Sequence, residues 1–277
     1  MEDDRVMMYV DPNKCIGCGL CVKDCFVKDI EMIDGKAQIK NVTCFKCGHC
    51  IAVCPKNAIS TDEYDMKDVI EYNKESFTIE PDTLLNFIKF RRTIRHFMDK
   101  KVEREKILKI IEAGRFTETA SNSQNVSYIV VEKDIQKLRE LTLKSLDNLG
   151  KIVLETSTSA LYKRYAKRWI SMYEEYENNP DGQDELFFKA PTIILVVSES
   201  PINGGLASSN MELMINALGL GTVFSGFFVR AAQDNKEIRE FLEIEDEKQV
   251  ISCMVIGYPD IKFKRTVPRK KAEIIFK

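Results

Sequence analysis

Apolar positions in the first part of the chain occur in short runs that alternate with turn signals. Residues 6–10 are mostly apolar and end at Asp11-Pro12, which predicts a short strand followed by a turn. Residues 31–39 alternate between apolar and polar positions around Asp34-Gly35, a pattern typical of a β-hairpin with a two-residue turn. Residues 58–60 would add one more strand. The pattern therefore predicts one small domain over residues 1–62.

A charged stretch without a clear period, residues 63–80, follows this domain, and we interpret it as a linker that lies on the next domain. Further on, segments with helical spacing of apolar positions alternate with continuous apolar runs typical of buried strands. The predicted elements are helices at 84–88 and 107–111, a strand at 126–131, helices at 135–146 and 155–179, a strand at 191–197, a helix at 207–218, a strand at 222–229, a helix at 236–242 and a strand at 250–258. Strands interleaved with helices predict an α+β or α/β sandwich over residues 81–277.

Composition narrows the classes of function. The 277 residues include 41 Lys and Arg and 43 Asp and Glu, so the charge balance gives no electrostatic reason to expect binding to nucleic acid or to an anionic membrane. No apolar run approaches the roughly 18 residues of a membrane span, and no signal peptide precedes Met7, so we expect a cytoplasmic protein in a reducing compartment. Cys253 lies in the apolar run 250–256, where we expect a small buried hydrophobic residue.

The other eight cysteines form two runs with identical spacing. The first run is Cys15, Cys18, Cys21 and Cys25, and the second is Cys44, Cys47, Cys50 and Cys54, each 29 positions after its counterpart. This spacing is the bacterial iron–sulfur ligand run, in which the fourth cysteine of each run ligates the other cluster. We therefore predict two [4Fe–4S] clusters, one held by Cys15, Cys18, Cys21 and Cys54 and the other by Cys44, Cys47, Cys50 and Cys25.

Zinc and disulfides are the alternatives for these cysteines. Zinc sites usually take two CxxC pairs separated by a longer loop, rather than three closely spaced thiolates. Disulfides need an oxidising compartment. Gly17, Gly19 and Gly48 favour a cluster loop, because a residue without Cβ lets the backbone pass close to the inorganic sulfides. Cys25 is followed by Phe26 instead of proline, which alters the turn after the first run but not its ligands.

A second set of motifs lies in the longer region. Arg91-Arg92-Thr93-Ile94-Arg95 resembles the Arg-Arg-Ser-x-Arg signature of the nitroreductase family, although a solvated helix end would also explain these charges. Residues 119–124 resemble the Asn-x-Gln loop of that family, residues 217–222 its Gly-Leu-Gly-Thr turn, and residues 257–259 its late Gly-Tyr-Pro. The ordered set covers residues 82–277. The resemblance implies a homodimeric FMN enzyme with an α+β fold, in which helices flank a mostly antiparallel central sheet.

The resemblance also implies roles for individual residues. Arg91 and Arg269 would neutralise the FMN phosphate, and Arg95 would reach the N1–O2 edge of the flavin, where reduction builds negative charge. The other candidate FMN-binding residues are Arg92, Thr93, Thr119, Ser121, Asn122, Gln124 and Gly221. Of these, Ser121, Asn122 and Gln124 would hydrogen-bond the flavin of the partner subunit, and Gly221 would line the flavin face. Asn125-Val126 stands where the family often has Pro-Trp, so no substrate and no catalytic residue can be carried over.

The combined pattern predicts an iron–sulfur flavoprotein oxidoreductase. It would pass electrons through two [4Fe–4S] clusters to FMN and on to a small electrophile such as a nitroaromatic or a quinone. Because a cluster domain suits a donor of single electrons, we expect reduced ferredoxin or flavodoxin as the donor. No GxGxxG motif follows a predicted strand, so no built-in dinucleotide fold argues for NAD(P)H, although in this family a nicotinamide can dock on the flavin directly. The alternatives are an electron-transfer module for a protein acceptor, and a specialised flavin reaction such as reductive dehalogenation.

Three further features have two interpretations each. The aromatic side chains of residues 155–179 would form either a lid over the flavin or half-buried packing. His96 would be a proton donor or simply a histidine at a helix end near the phosphate site. His49 would tune a cluster through a hydrogen bond to sulfur, or it would be an exposed residue.

Overall fold

A computed structural model describes residues 8–277. Two compact units make up the chain: the first extends to Ile79 and also contains Ala120–Ser123, and the second contains Glu80–Thr119 and Gln124–Lys277. The interval 63–80, predicted as a linker, thus belongs almost entirely to the first unit. Residues 6 and 7, the beginning of the first predicted strand, lie outside the described residues.

The first unit contains short elements. They are β1 (Met8–Val10), α1 (Leu20–Asp24), β2 (Ile30–Ile33), β3 (Lys36–Ile39), α2 (His49–Val53), β4 (Ile59–Thr61) and α3 (Lys74–Phe77), with 3-10 turns at Met66–Asp68 and Ala120–Asn122. Strand β1 pairs antiparallel with β4, and β2 pairs antiparallel with β3. The hairpin turn is the predicted one, because Asp34 and Gly35 both have positive φ, 49° and 76°, as a tight two-residue turn requires.

The 29-residue repeat in the sequence is also a repeat of backbone conformation. Helices α1 and α2 begin 29 positions apart, and each follows a glycine, Gly19 or Gly48, with φ of 73°. Gly17 in the first run corresponds to Lys46 in the second, and both have positive φ, 69° and 52°. Gly17 cannot carry a side chain, since a Cβ there would lie 2.3 Å from the Gly35 carbonyl oxygen. The two halves of this unit are therefore built on the same plan.

Residues 62–79 contact the rest of the first unit through polar groups. The Tyr64 hydroxyl donates to the Lys46 carbonyl oxygen at 2.9 Å, and the Asn57 side chain donates to Glu71 at 3.2 Å. These contacts explain why a stretch without apolar periodicity nevertheless belongs to a compact unit, because its attachment depends on hydrogen bonds that an apolar pattern does not record.

The second unit contains a four-stranded sheet and seven helices among its described elements. These are α4 (Pro81–Phe90), α5 (Arg104–Arg115), β5 (Val126–Val131), α6 (Ile135–Thr156), α7 (Ala160–Asn178), β6 (Thr192–Ser198), α8 (Pro201–Ala217), β7 (Gly221–Phe224), α9 (Gly226–Ala232), α10 (Lys236–Phe241) and β8 (Gln249–Gly257). The strand order is β5-β6-β8-β7, and every neighbouring pair is antiparallel. The predicted α+β class with a mostly antiparallel central sheet is confirmed.

Strand β6 lies at the centre of this fold, and all seven of its residues are buried. Alternate side chains enter two separate cores, as the two-residue period of a strand requires. Leu195 packs in the core that includes α6, α7 and α9, whereas Ile194 and Val196 pack with α5 and α8. Helices thus cover both faces of the sheet, which explains why β6 appears in the sequence as a continuous apolar run.

Several predicted boundaries in the second unit are wrong, including the start of the helix predicted at 207–218, which lies at Pro201. The strand predicted at 222–229 ends at Phe224, and the remaining apolar residues form the start of α9. Periodicity cannot separate a short apolar strand from a buried helix, so the apolar run predicts a single element. Helix α6 extends to Thr156, and a cap at Ser159, which accepts from the Tyr162 amide at 3.4 Å, begins α7 as a separate helix.

Within residues 8–277, no helix is long and apolar enough to cross a membrane.

Candidate functional site

Two cavities in the first unit are each lined by four cysteines. The first cysteine cavity is lined by Cys15, Cys18, Cys21 and Cys54, and the second cysteine cavity by Cys25, Cys44, Cys47 and Cys50. Each cavity therefore takes three cysteines from one run and the fourth from the other run. These are the same two sets of four that the spacing predicts for a pair of [4Fe–4S] clusters.

The helix ends explain why the fourth cysteine of each run joins the other set. Cys25 and Cys54 follow the last residues of α1 and α2, and both adopt extended backbone conformations, with φ of −69° and −77°. The chain therefore leaves each short helix abruptly at the fourth cysteine. Backbone amides then meet these sulfurs at matching positions, since the Asp29 amide donates to Cys25 Sγ at 3.4 Å and the Ala58 amide donates to Cys54 Sγ at 3.3 Å.

The thiols occupy unequal electrostatic environments. Backbone amides of Ala37 and Gly17, together with the charge of Lys36, lower the pKa of Cys15. Burial raises the pKa of Cys50 to about 12, and it also raises the pKa of Cys21. Iron binds thiolate rather than thiol, so ligation in these cavities displaces protons that burial would otherwise retain. Eight sulfur donors arranged in two sets of four fit two iron–sulfur clusters.

A third cavity, which we call the basic cavity, lies in the second unit. It has a volume of about 940 Å³ and is lined by Arg91, Arg92, Thr93, Arg95, Arg269, Glu212, Phe263 and Thr266, among others. The first five are candidate FMN-binding residues from the sequence. The cavity therefore brings the arginine signature together with a basic residue near the end of the chain, and its volume lies within the range of small-molecule sites.

Several guanidinium donors in the basic cavity have no partner. Arg91 pairs with Glu212 through Nη1, and Arg92 Nη1 donates to the Arg91 carbonyl oxygen. Arg91 Nε, Arg92 Nε and Arg92 Nη2 are buried and have no hydrogen-bond partner among the described residues. Buried charged donors without partners are costly, and a bound phosphate would satisfy them with charge-assisted hydrogen bonds. The arginines therefore fit an anionic ligand such as the phosphate of FMN.

Strand β7 positions the arginine signature. After α4 ends, Thr93 pairs with Thr222 as an isolated parallel bridge, and the Ile94 amide donates to the Thr222 carbonyl oxygen at 3.0 Å. A Cβ on Gly221 would lie 2.4 Å from the Ile94 side chain, so this glycine permits the close approach of the two segments. Gly221 is buried beneath Ile94, and it is not among the residues that line the basic cavity.

The loop of residues 119–124 has unusual backbone geometry. Ser121, Asn122 and Gln124 all have positive φ, 53°, 53° and 47°. The Thr119 hydroxyl accepts from the Gln124 amide at 2.9 Å. Asn122 Nδ2 donates to two carbonyl oxygens of the first unit, those of Phe45 at 3.1 Å and Lys46 at 3.0 Å. The side-chain amide of Asn122 thus contacts the loop between Cys44 and Cys47, a partner that the sequence motif did not indicate.

The features with two interpretations also have defined environments. Trp169 is buried, and its ring contacts Tyr165 and Phe227 with centroid distances of 6.4 and 5.8 Å, so this part of the aromatic row is packing. His49 lines the second cysteine cavity, and its Nδ1 lies 3.2 Å from Asp24 at the surface. His96 is exposed.

Two residues near these sites were missed by sequence reasoning. Glu212, the partner of Arg91, lies on α8 and is separated from Arg91 by 121 positions, so no local pattern connects them. Asp29 is buried and lines the second cysteine cavity. The repeat in the sequence could have indicated Asp29, because the equivalent position 29 residues later is an alanine, Ala58.

Comparison with known proteins defines the class. The model of the Nitroreductase family matches residues 88–258, more than half of the chain, and that of a 4Fe-4S dicluster domain matches residues 7–55. The chain belongs to the Nitroreductase family and is an oxidoreductase that also carries a ferredoxin-type domain.

Individual relatives are distant. A protein of Archaeoglobus fulgidus, provisionally named as an NADH dehydrogenase/NAD(P)H nitroreductase, is 24% identical over 63% of this chain and 84% of its own length. One component of an ion-translocating oxidoreductase complex of Methanosarcina acetivorans is 42% identical, but over only 16% of this chain and 17% of its own length. The similarity to the second protein is thus limited to a short segment.

Solved structures share the fold of the second unit. A nitroreductase with bound FMN from Bacteroides fragilis superposes with a TM-score of 0.54 at 19% identity, covering 72% of this chain and all of that protein. An iodotyrosine deiodinase bound to FMN and 3-iodo-L-tyrosine gives a TM-score of 0.51 at 21% identity, covering 70% of this chain and 98% of that protein. At these identities the likeness establishes the fold alone.

Proposed function

We propose that this chain is an FMN-dependent iron–sulfur oxidoreductase with two [4Fe–4S] clusters, which delivers electrons to a small electrophile such as a nitroaromatic or a quinone. One observation carries the proposal. A chain of the Nitroreductase family has two cavities lined by four cysteines each, and it also has a basic cavity with unpaired arginine donors.

The residues of the chain have distinct tasks in this proposal. The two sets of four cysteines hold the clusters, and Arg91, Arg92 and Arg269 bind the FMN phosphate. Arg95, in the same cavity, would offset the negative charge that reduction builds on the flavin. When bound, the clusters supply one-electron transfer, and the flavin supplies the two-electron chemistry at the acceptor. The protein contributes position, charge and exclusion of water.

The kind of electron donor follows from the separate roles of the clusters and the flavin. A hydride donor gives two electrons to a flavin in one step and needs no cluster, whereas a one-electron carrier benefits from one. We therefore propose reduced ferredoxin or flavodoxin as the physiological donor. The alternative donor is NAD(P)H, which is part of the name of the Archaeoglobus protein. The two donors predict different activities for a variant that lacks a cluster.

We also propose a homodimer in which Thr119, Ser121, Asn122 and Gln124 contribute to FMN binding. The support is the resemblance of residues 119–124 to the family loop, together with an exposed apolar surface on the second unit. Leu85 and Phe90 on α4 are 46% and 48% exposed, as large apolar side chains at an interface between chains are before assembly.

The test is a cofactor and mass analysis of protein reconstituted under anaerobic conditions. We expect about eight irons and eight sulfides per chain, as two cubane clusters require, together with one non-covalent FMN per chain and the mass of a dimer. About four irons per chain, stoichiometric zinc, or a monomer that retains FMN would each contradict the corresponding part of the proposal. Anaerobic screening of nitroaromatics, quinones and halogenated aromatics against the dithionite-reduced protein then identifies the class of acceptor.

A further inference from the structure

At one pair of equivalent positions in the 29-residue repeat, a buried charged residue stands opposite a buried apolar residue. Asp29 and Ala58 occupy equivalent positions, four residues after Cys25 and Cys54, and their backbone amides donate to these cysteine sulfurs at nearly equal distances. Both residues are buried, with exposed fractions of 2% and 3%. Ala58 lines the first cysteine cavity and Asp29 lines the second. The two cavities therefore differ by a carboxylate at equivalent places.

The Asp29 side chain is held as a carboxylate. Its Oδ1 accepts from the Val42 amide at 3.1 Å, the Thr43 amide at 2.9 Å and the Thr43 hydroxyl at 3.1 Å. Three donors to one oxygen stabilise the charged form of a carboxylate. Its Oδ2 is buried and has no partner among the described residues. A negative charge is thus fixed at the cavity wall, with one oxygen uncompensated.

The charge of Asp29 acts on whatever occupies its cavity. Asp29 lies in the wall of the cavity where Cys44 and three other cysteines meet. A carboxylate in this wall disfavours an added electron in the cavity, because both are negative charges in a poorly solvated site.

The first cysteine cavity has charges of the opposite sign. The Lys36 ammonium donates to the Cys15 carbonyl oxygen. Lys56 also lines this cavity. Cations near the ligands favour the more negative, reduced form of a bound cluster. The two cavities therefore favour different redox states of otherwise similar clusters.

We propose that Asp29 makes the cluster held by Cys25, Cys44, Cys47 and Cys50 the lower-potential member of the pair. This inference rests on the proposed function, since it requires both clusters. Each cluster takes up one electron, and the neighbouring carboxylate makes that uptake less favourable only in the second cavity. The cluster held by Cys15, Cys18, Cys21 and Cys54 is then reduced first as the solution potential falls.

The alternative role of Asp29 is to fix the chain before Cys44. Its Oδ1 receives the amides at residues 42 and 43, so replacement by alanine would disturb this turn and the charge together. Asp29→Asn separates the two roles, because the amide oxygen can still accept these hydrogen bonds while the charge is lost. Asp68→Asn is the matched control, since it makes the same change at an exposed carboxylate of the first unit that lines neither cysteine cavity.

The experiment is a redox titration with dithionite, followed by electron paramagnetic resonance, on the reconstituted full chain. Cys54→Ser and Cys25→Ser assign the two signals to their cavities. In Asp29→Asn we expect the ratio of reduced to oxidised second cluster, at a fixed potential, to rise at least about tenfold, which is 59 mV for one electron. The first cluster should stay unchanged, and Asp68→Asn should leave both ratios within about twofold because exposed charges are screened. Ala58→Asp should lower the reduced fraction of the first cluster.

The outcomes separate this inference from the proposed function. Wild-type protein with fewer than two clusters contradicts the proposed function itself. With two clusters present, an unchanged second cluster in Asp29→Asn overturns the inference. An equal shift of both clusters also overturns it, because the effect would then not be local. Loss of the second cluster in Asp29→Asn would assign Asp29 to fixing the turn and would likewise overturn it.

Discussion

Arg91 shows, at the scale of single residues, how the basic cavity is prepared for an anion. One of its nitrogens pairs with Glu212, and its Nε remains buried without a partner among the described residues. The pairing fixes the guanidinium in place before a ligand arrives, which lowers the entropic cost of binding. The unpaired nitrogen supplies the attraction for the ligand.

Arg91→Ala should weaken FMN binding by roughly 1.5–3 kcal/mol, or about 10- to 150-fold in Kd, because it removes a charge-assisted contact and leaves Glu212 unpaired at the cavity. Flavin fluorescence during titration of the apoprotein with FMN measures this change. Arg230→Ala, at an exposed arginine on α9, is the control and should leave Kd unchanged. A normal Kd for Arg91→Ala would place the phosphate elsewhere.

Single residues were predictable from the sequence where the signal is local. The eight cysteines could be found because their spacing repeats within a short stretch, and the arginines because they form one pentapeptide. Glu212 could not be found, since its contact with Arg91 connects positions 121 residues apart. Packing against Ile94 is a reason for glycine at position 221 that the motif did not indicate, and its place at the flavin face stays a prediction.

At the scale of elements, the two short helices determine which thiols meet. Helices α1 and α2 each end one residue before the fourth cysteine of their run, and that cysteine lines the cavity of the other run. Interleaved ligands connect the two halves of the unit, so each cluster would fasten one half to the other. The spacing predicted this arrangement, whereas the division of residues 222–232 into β7 and α9 depends on contacts that spacing does not encode.

The interleaving predicts which cluster each variant damages. Cys54→Ser should impair the cluster of Cys15, Cys18 and Cys21, and Cys25→Ser should impair that of Cys44, Cys47 and Cys50, because each serine replaces a ligand of the other run's set. Iron analysis with electron paramagnetic resonance of the reduced protein measures both. If each variant instead damages the cluster of its own run, the assignment of ligands is wrong.

Hydrogen bonds between polar side chains connect the first turn of α5 to Tyr258, which follows β8. The Tyr258 hydroxyl donates to Glu103 and accepts from Lys106 Nζ at 2.8 Å. The hydrogen bond from Tyr258 holds the pKa of Glu103 below its ordinary value of 4.5. A carboxyl with a lowered folded-state pKa stabilises the protein above its unfolded-state pKa, and this contribution is lost as pH falls through the folded-state pKa.

Tyr258→Phe should therefore lower the thermal unfolding midpoint at neutral pH by an amount that shrinks as pH falls below 4.5. Because the pKa of Lys106 is raised, this lysine stays charged over the acidic range and its contribution to stability is constant there. The pH dependence of the difference in midpoint therefore reports on Glu103. Fluorescence of Trp169, the only tryptophan, follows unfolding of the second unit. A difference between wild type and variant that stays constant into acid would contradict this account.

At the scale of the whole molecule, a ferredoxin-type domain and a nitroreductase domain share one chain. The central hypothesis is that single electrons enter through the cysteine-bound clusters and leave, two at a time, through the flavin. Sequence patterns could predict both domains because each has its own motifs. They could not predict that residues 62–79 and 120–123 belong to the first unit, since hydrogen bonds such as those of Tyr64 and Asn122 hold these segments there.

The most direct test measures steady-state turnover of Cys47→Ser with two donors, reduced ferredoxin and NAD(P)H, beside wild type and a Cys253→Ala control. We expect Cys47→Ser to lose ferredoxin-driven turnover, because a cluster ligand is missing, and to keep whatever NAD(P)H-driven turnover the wild type has, because a hydride donor reaches the flavin without the clusters. Cys253→Ala should retain both activities. Undiminished ferredoxin-driven turnover in Cys47→Ser, or an equal loss with both donors, would contradict the proposal that the clusters conduct electrons to the flavin.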